Sequence, residues 1–286
     1  MKIGIGSNAY YNIYDYEEGF KKMKSHGYDC VDYGDISFVD SNAYTLSDEE
    51  FREFFEKVKE SADRNGIEIW QMHSVWLTVN FDKTEEDRQK TTEYFIRQLE
   101  AAHYLGCKYF VLHPFMPFGH DVEGDYSFTF DINVELLRTL IPHAEKWDVV
   151  LCVENLPFTR NPIAKVSEVK RLVRTIDYPR VKVCLDTGHA NVFSRDIAAD
   201  VRLLGDDLAT LHVHDNAGWC DAHTLPYCGC LRWNDFLAAL GEIGFDGCFM
   251  LETVISASMP EPYREEMRVS LAKLTRSMAE EIDKLK

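Results

Sequence analysis

Long apolar runs are missing from this 286-residue sequence. No stretch approaches the length of a membrane span, and MKIGIGSNAYY at the start has one lysine and then a tract too short and polar for a secretory signal. Positive charge is also scarce. Against 48 Asp+Glu stand 31 Lys+Arg, a formal net charge of −17, which argues against a large surface for nucleic-acid phosphates or an anionic membrane. No glycine-rich phosphate loop follows the first strand-like run, where SNAYYNIYDY stands instead, and this disfavours an open doubly wound sheet. Internal repeats, low-complexity tracts and Pro/Gly linkers are absent too, so residues 1–286 are expected to form a single domain.

Cysteines are present, but not in a pattern that asks for disulfides or a thiolate metal site. Cys30, Cys107, Cys152, Cys184 and Cys248 lie in or beside apolar runs, where a free thiol behaves as a small hydrophobe. A reducing, cytoplasmic setting is the expectation. Cys228-Gly229-Cys230, near Cys220 and His223, lacks a CxxC pair and reads as loop.

What the sequence does have is short apolar runs alternating with longer amphipathic segments, the pattern of repeated strand–helix units around a parallel sheet. The runs are Lys2 to Asn8, Cys30 to Gly34, Ile69 to Trp76, Tyr109 to Phe115, Val149 to Asn155, Val181 to Asp186, Thr210 to Asp215 and Cys248 to Thr253. Between them, SDEEFREFFEKVKESADRNG carries a capping box at Ser47 and Glu50, an apolar face at Phe51, Phe54, Phe55 and Val58, and a stop at Gly66. Further helices are expected over Glu85 to Leu105, Val134 to Lys146, Ser167 to Thr175, Ile197 to Leu204, Trp233 to Ile243 and Glu265 to Leu285. Eight such units predict a (β/α)8 barrel of the α/β class.

In a barrel the functional face lies at the carboxyl ends of the strands. Standing there are His73, His113, Glu154, Asp186, His189, His212, Asp221, His223 and Glu252. One such residue is ordinarily a satisfied loop or core group; nine on one rim would repel or desolvate each other unless cations held them. Glu154, Asp186, His212 and Glu252 can surround one divalent ion and leave positions for two substrate oxygens. Glu154 and Glu252 can then serve as base and acid on the two faces of a hydroxy-ketone. The remaining residues are either orienters or ligands of further ions. Of His212 and His214, two residues apart, His212 is taken as the inward ligand because Asp215 and Asn216 follow as loop starters.

Taken in order, HPF, VEN, LDTGHA, HVHD, DAH and LET resemble the xylose-isomerase-like superfamily, which also contains the apurinic endonucleases of the endonuclease IV type. In the isomerase and epimerase branch, the resemblance implies Glu154, Asp186, His212 and Glu252 as metal ligands, Glu154 and Glu252 as the proton-transfer pair, and His189 at the substrate. In the endonuclease branch, it implies a trinuclear zinc site on all nine residues. Two departures are visible. Where the family usually has a glycine-acid-glycine turn, this chain reads PYCGCLRW, with Tyr227 and Cys228 beside Gly229, and no arginine occurs between His212 and Gly229.

The expected function is a divalent-metal-dependent isomerase or epimerase of a small sugar, sugar phosphate, inositol derivative or related polyol, with Mn or Zn, or else Mg or Co, as the ion. His189, His113 and Trp76 are the substrate-contacting candidates, and Tyr10, Tyr11, Phe115, Phe158 and Trp219 are further aromatics near the rim. The alternative is an endonuclease IV-like zinc phosphodiesterase acting on abasic DNA. The acidic, aromatic loop PFMPFGHDVEGDYSFTFD, with Arg160 as the one cation close to a strand end, makes nucleic acid a poor partner. An inactive binding protein would lack a ligand, and none is missing. The C-terminal helix is amphipathic enough to pack against a second subunit.

Overall fold

The computed structural model describes residues 1–11, 13–76, 82–120 and 122–286. Eight strands form, all parallel to their neighbours: β1 (Lys2–Gly6), β2 (Cys30–Tyr33), β3 (Glu68–His73), β4 (Tyr109–Leu112), β5 (Val150–Glu154), β6 (Val181–Asp186), β7 (Leu208–His212) and β8 (Cys248–Leu251). They are ordered β7-β6-β5-β4-β3-β2-β1-β8. Val213 N–H donates to Met250 O at 2.8 Å and Glu252 N–H to Val213 O at 3.0 Å, closing β7 onto β8 just past their last residues. The sheet is therefore a (β/α)8 barrel, and the open doubly wound alternative is excluded.

Ten helices lie among the described residues: α1 (Asn8–Tyr11), α2 (Tyr16–His26), α3 (Asp48–Arg64), α4 (Glu85–Tyr104), α5 (Tyr126–Trp147), α6 (Val166–Ile176), α7 (Thr187–Phe193), α8 (Ile197–Leu204), α9 (Trp233–Glu242) and α10 (Glu261–Leu285). The capping box at Ser47 and Glu50 forms as expected. Helix α2 was not expected. It is short and charged, but Asp15 caps it by accepting from Glu18 N–H at 2.9 Å, and Gly27 ends it at φ 105°. Helix α5 starts at Tyr126 rather than Val134 because Asp125 accepts the Phe128 N–H at 2.7 Å.

Two apolar layers follow from period-two alternation along the strands. One lies between strands and helices and holds most of the core, including Phe51, Phe55, Leu99, Leu140 and Phe236. The other fills the barrel: Val111, Cys152 and Cys184 pack together, and Cys30 and Cys248 pack with Met250. The expected small-hydrophobe role of these cysteines is met, and all eight thiols are free. Two residues beyond Val111, Cys152, Cys184 and Met250 on the same inward face stand His113, Glu154, Asp186 and Glu252. The barrel filling thus ends, strand after strand, in an ionisable side chain.

The apolar face of α10 is covered within this chain, with Leu271, Ala272, Met278, Ala279 and Ile282 buried against α9, α2 and β1. It is not left free for a second subunit. Arg268 on this helix is buried and donates to Ala9 O at 3.0 Å and to Glu261 and Glu265 at 2.8 and 3.1 Å. No helix among the described residues is long and apolar enough to cross a membrane.

Candidate metal centre

The rim is built around Glu154, which is fully buried at the end of β5. Its Oε1 lies 2.8 Å from His212 Nδ1, and its Oε2 lies 3.0 Å from His113 Nε2 and 3.4 Å from His73 Nε2. Glu252, immediately past β8, brings Oε2 to 3.3 Å from the same His212 nitrogen. Asp186, the last residue of β6, also caps α7: its Oδ1 accepts the His189 N–H at 2.6 Å. The three-residue spacing of Asp186 and His189 is thus the spacing of a helix cap and the amide it satisfies.

Donor atoms gather into three groups, each with its atoms within 4.8 Å of one another: Glu154, Asp186, His212 and Glu252; His73, Glu154 and His212; and His189, His214, Asp221 and His223. Eight of the nine expected residues fall into these groups, and the ninth, His113, touches Glu154. No cysteine joins any of the groups among the described residues. His214 was the unexpected member. It stands two residues past His212 in a run whose extension continues through the Val213 bridge, and so shares the inward face, with its Nε2 3.0 Å from Asp186 Oδ1.

The electrostatics are those of carboxylates held together by imidazoles. Burial works to raise the Glu154 carboxyl, but His212 and His113 beside it hold it well below the usual range. Burial is likewise outweighed at Asp186, which His189 and His214 hold at about 2. At Glu252 burial wins over His212 and His223, and the carboxyl is raised. Burial would lower His189 and His223, yet Asp186 and Asp221 push His189 up to about 10, and Asp221 and Glu252 push His223 up to about 10. Buried Glu252 Oε2 and Asp221 Oδ1 have no hydrogen-bond partner. Mixed oxygen and imidazole donors with orphaned carboxylate oxygens fit divalent cations.

Two residues that the sequence reading passed over support this rim. Asp32 on β2 is buried; its Oδ2 lies 2.8 Å from His212 Nε2 and accepts from Gln71 Nε2 at 2.9 Å. Gln71 in turn accepts from the Thr210 hydroxyl. A polar residue at an inward position of CVDYG was the available signal. Phe38 is the second: with Trp76, His73, Ser7, Asn8 and Glu252 it lines a cavity of ≈ 300 Å³ that opens beside the Glu154 group.

Of the expected substrate contacts, Trp76 stands on this cavity wall, 36 % exposed, with its ring edge-on to His113. His113 and His189 are buried among the other ionisable groups. Tyr10 and Phe115 belong to the core, Phe158 stacks on His120, and Trp219 is exposed.

A model of the family described as "xylose isomerase-like TIM barrel" matches residues 20–274. The chain belongs to that family. It is similar to the D-psicose 3-epimerase of Ruminiclostridium cellulolyticum, 26% identical over 245 residues, covering 84% of this chain and 79% of the relative. This relative spans most of both chains and marks the protein as an enzyme. The chain is also similar to a probable endonuclease 4 of Mycoplasma pneumoniae, 27% identical over 162 residues, about half of each chain (52% and 51%). In fold it resembles the D-psicose 3-epimerase of Clostridium cellulolyticum solved with D-tagatose, with TM-score 0.81, 20% identity, and 97% and 99% of the two chains covered. Epimerases of this xylose isomerase-like family thus appear among both its sequence relatives and its structural neighbours.

Proposed function

We propose that the protein is a divalent-metal-dependent epimerase or isomerase acting on a small sugar or related polyol. The observation that carries this reading is the placement of Glu154 and Glu252 around one nitrogen of His212, beside a cavity of ≈ 300 Å³ with an aromatic wall. Glu154, Asp186, His212 and Glu252 would hold the ion. When bound, it supplies Lewis-acid polarisation of a substrate carbonyl. Mn or Zn suits these oxygen and imidazole donors.

The residues divide the remaining work. Glu154, held ionised by His212 and His113, is the carboxylate able to take a proton from the carbon next to the carbonyl. Glu252, raised by burial and standing on the cavity wall, is the carboxyl able to return one to the opposite face. The reverse direction exchanges the two roles. Return to the same carbon from the other face inverts it; return to the neighbouring carbon moves the carbonyl. Trp76 and Phe38 offer aromatic faces to sugar C–H groups.

The presence of all nine residues of the endonuclease pattern favours a second reading, a zinc phosphodiesterase. Against it, the described residues that line the cavity include no lysine or arginine to meet a phosphate backbone. The test uses wild type, Glu154→Gln and Glu252→Gln with Mn or Zn, assayed on a panel of ketoses and polyols in deuterated water. Wild type should exchange a substrate C–H for deuterium, and both variants should lose turnover by about 10²-fold or more. Wild-type turnover in either variant removes the acid/base assignment. Cleavage of an abasic-site duplex with no action on any sugar moves the protein to the phosphodiesterase reading.

A further inference from the structure

We propose that Ser7 and Ser37 form a specificity subsite that reads free hydroxyl groups at the end of the substrate remote from its carbonyl, both serine oxygens working as acceptors. This rests on the sugar reading above and adds two residues to which neither the resemblance nor the proton-transfer chemistry gives a role.

Each serine hydrogen is already committed inside the protein. Ser7, immediately past β1, donates from Oγ to Asp35 Oδ1 at 2.6 Å and accepts the Gly34 N–H at 3.0 Å. A hydroxyl has one hydrogen and two lone pairs, so Ser7 keeps one lone pair and no donor. Ser37, in the loop after β2, donates to the His73 carbonyl oxygen at 3.1 Å, and no donor among the described residues reaches its Oγ. Both serines line the cavity of ≈ 300 Å³ on which Glu252 also stands. What they offer a ligand there is acceptance alone. Asp35 secures this at Ser7, because it holds the Ser7 and Tyr16 hydroxyls together.

The two oxygens are fixed in place and have open space before them. Ser7 N–H donates to Asp32 O at 2.8 Å, Ser37 N–H donates to Gly34 O at 3.1 Å, and Ser37 O accepts the Trp76 N–H at 2.7 Å. The backbone therefore sets both hydroxyls before any ligand arrives. Gly34 lies beside them. A Cβ there would stand 3.6 Å from Ser37 Oγ and 3.8 Å from Ser7 Oγ, with no other atom beyond its chain neighbours within 4 Å. Gly34 has no positive φ, so its backbone does not ask for glycine; the missing side chain leaves room next to both oxygens.

The rest of the wall agrees with a ligand that donates. Asp32 and Glu252 are its carboxylates, and the described lining residues include no lysine or arginine. Phe38 and Trp76 can cover C–H faces while the serines take hydroxyl hydrogens. The competing role for the Ser7–Asp35 pair is to tie the loops after β1 and β2 together. That role predicts a loss of stability with no change in discrimination between ligands.

The experiment measures kcat and KM of the Mn²⁺-loaded protein at pH 8, above the value of about 6 to which burial raises Asp35. The probes are D-fructose, D-psicose, D-tagatose and D-sorbose, then the 5-deoxy, 6-deoxy and matching deoxyfluoro analogues of the best of them. Fluorine accepts weakly but cannot donate. Wild type should lose about 10-fold or more in kcat/KM against at least one deoxy analogue, with the matching fluoro analogue no better. In the double variant Ser7→Ala, Ser37→Ala the discrimination should shrink to within about 2-fold. Gly34→Ala, whose methyl fills the space before both oxygens, should raise KM about 10-fold with kcat changed little. Wild type that turns over both deoxy analogues like the parent overturns the subsite, as does a fluoro analogue that restores the rate, or discrimination that survives in the double variant. If the double variant does not fold, Gly34→Ala decides, and an unchanged KM overturns the subsite. Each of these failures leaves the sugar reading intact. Absence of turnover on all four ketohexoses removes that reading and the subsite with it.

Discussion

Asp32 and His212, 180 residues apart in the sequence, meet at 2.8 Å inside the barrel, Oδ2 against Nε2. The Asp32 carboxylate accepts a hydrogen from Nε2, which would leave Nδ1 as the nitrogen for an ion held with Glu154 and Glu252. Asp32→Asn should offer an amide N–H to that nitrogen, favour the wrong tautomer, and weaken metal binding about 10–100-fold. Competition with a chromophoric chelator measures this. Unchanged affinity in a folded Asp32→Asn would mean that the contact does not set the tautomer.

Trp76 and Phe38 give the cavity its apolar wall. Trp76→Ala and Phe38→Ala should each raise KM for the sugar about 3- to 10-fold with kcat changed little, because stacking on C–H faces is lost equally from ground and transition states. A kcat loss of the same size would place either ring in the chemistry.

The loop after β7 hangs on Asp215, whose two oxygens accept from Asn216 N–H, Leu231 N–H, Gly229 N–H and Trp233 Nε1 at 2.8–3.1 Å. A Cβ at Gly229 would stand 2.2 Å from Asn216 O. Gly229→Ala should therefore cost at least about 2 kcal/mol in thermal or urea unfolding. A variant within about 0.5 kcal/mol of wild type would mean that the loop adjusts freely.

Burial holds the Asp35 carboxyl up at about 6, against hydrogen bonds from Ser7 and Tyr16. A folded-state value above the unfolded one contributes stability below about pH 4, and that contribution is lost as pH rises through 6. Asp35→Asn should therefore gain in Tm relative to wild type between pH 4.5 and 7.5. An equal difference at both pH values would remove Asp35 as the cause.

The eight strands were legible because both faces of each are covered, which leaves short apolar runs, and the rim was legible because polar residues end those runs. Glu154, Asp186, His212 and Glu252 could be named for that reason. Asp32 escaped because a single acid within a five-residue run reads as the edge of a loop. His214 escaped because one histidine of the pair was chosen over the other, whereas residues two apart in an extended run share a face and both reach the rim. Tyr227 was seen as a departure from the glycine of the family turn; the backbone keeps the glycine-like φ of 67°, an uncommon conformation for a bulky residue. Helix α2 was hidden by its charge and its internal glycine, since only Gly19, Phe20 and Met23 of its residues are buried.

Glu154 puts one oxygen toward His212 and the other toward His73 and His113. Cations held on both sides of this one carboxylate would be thermodynamically linked: whatever factor the first changed in the affinity for the second, the second would return to the first. A titration that treats the two positions as independent will then misstate both constants, and loading from either end must give the same total free energy.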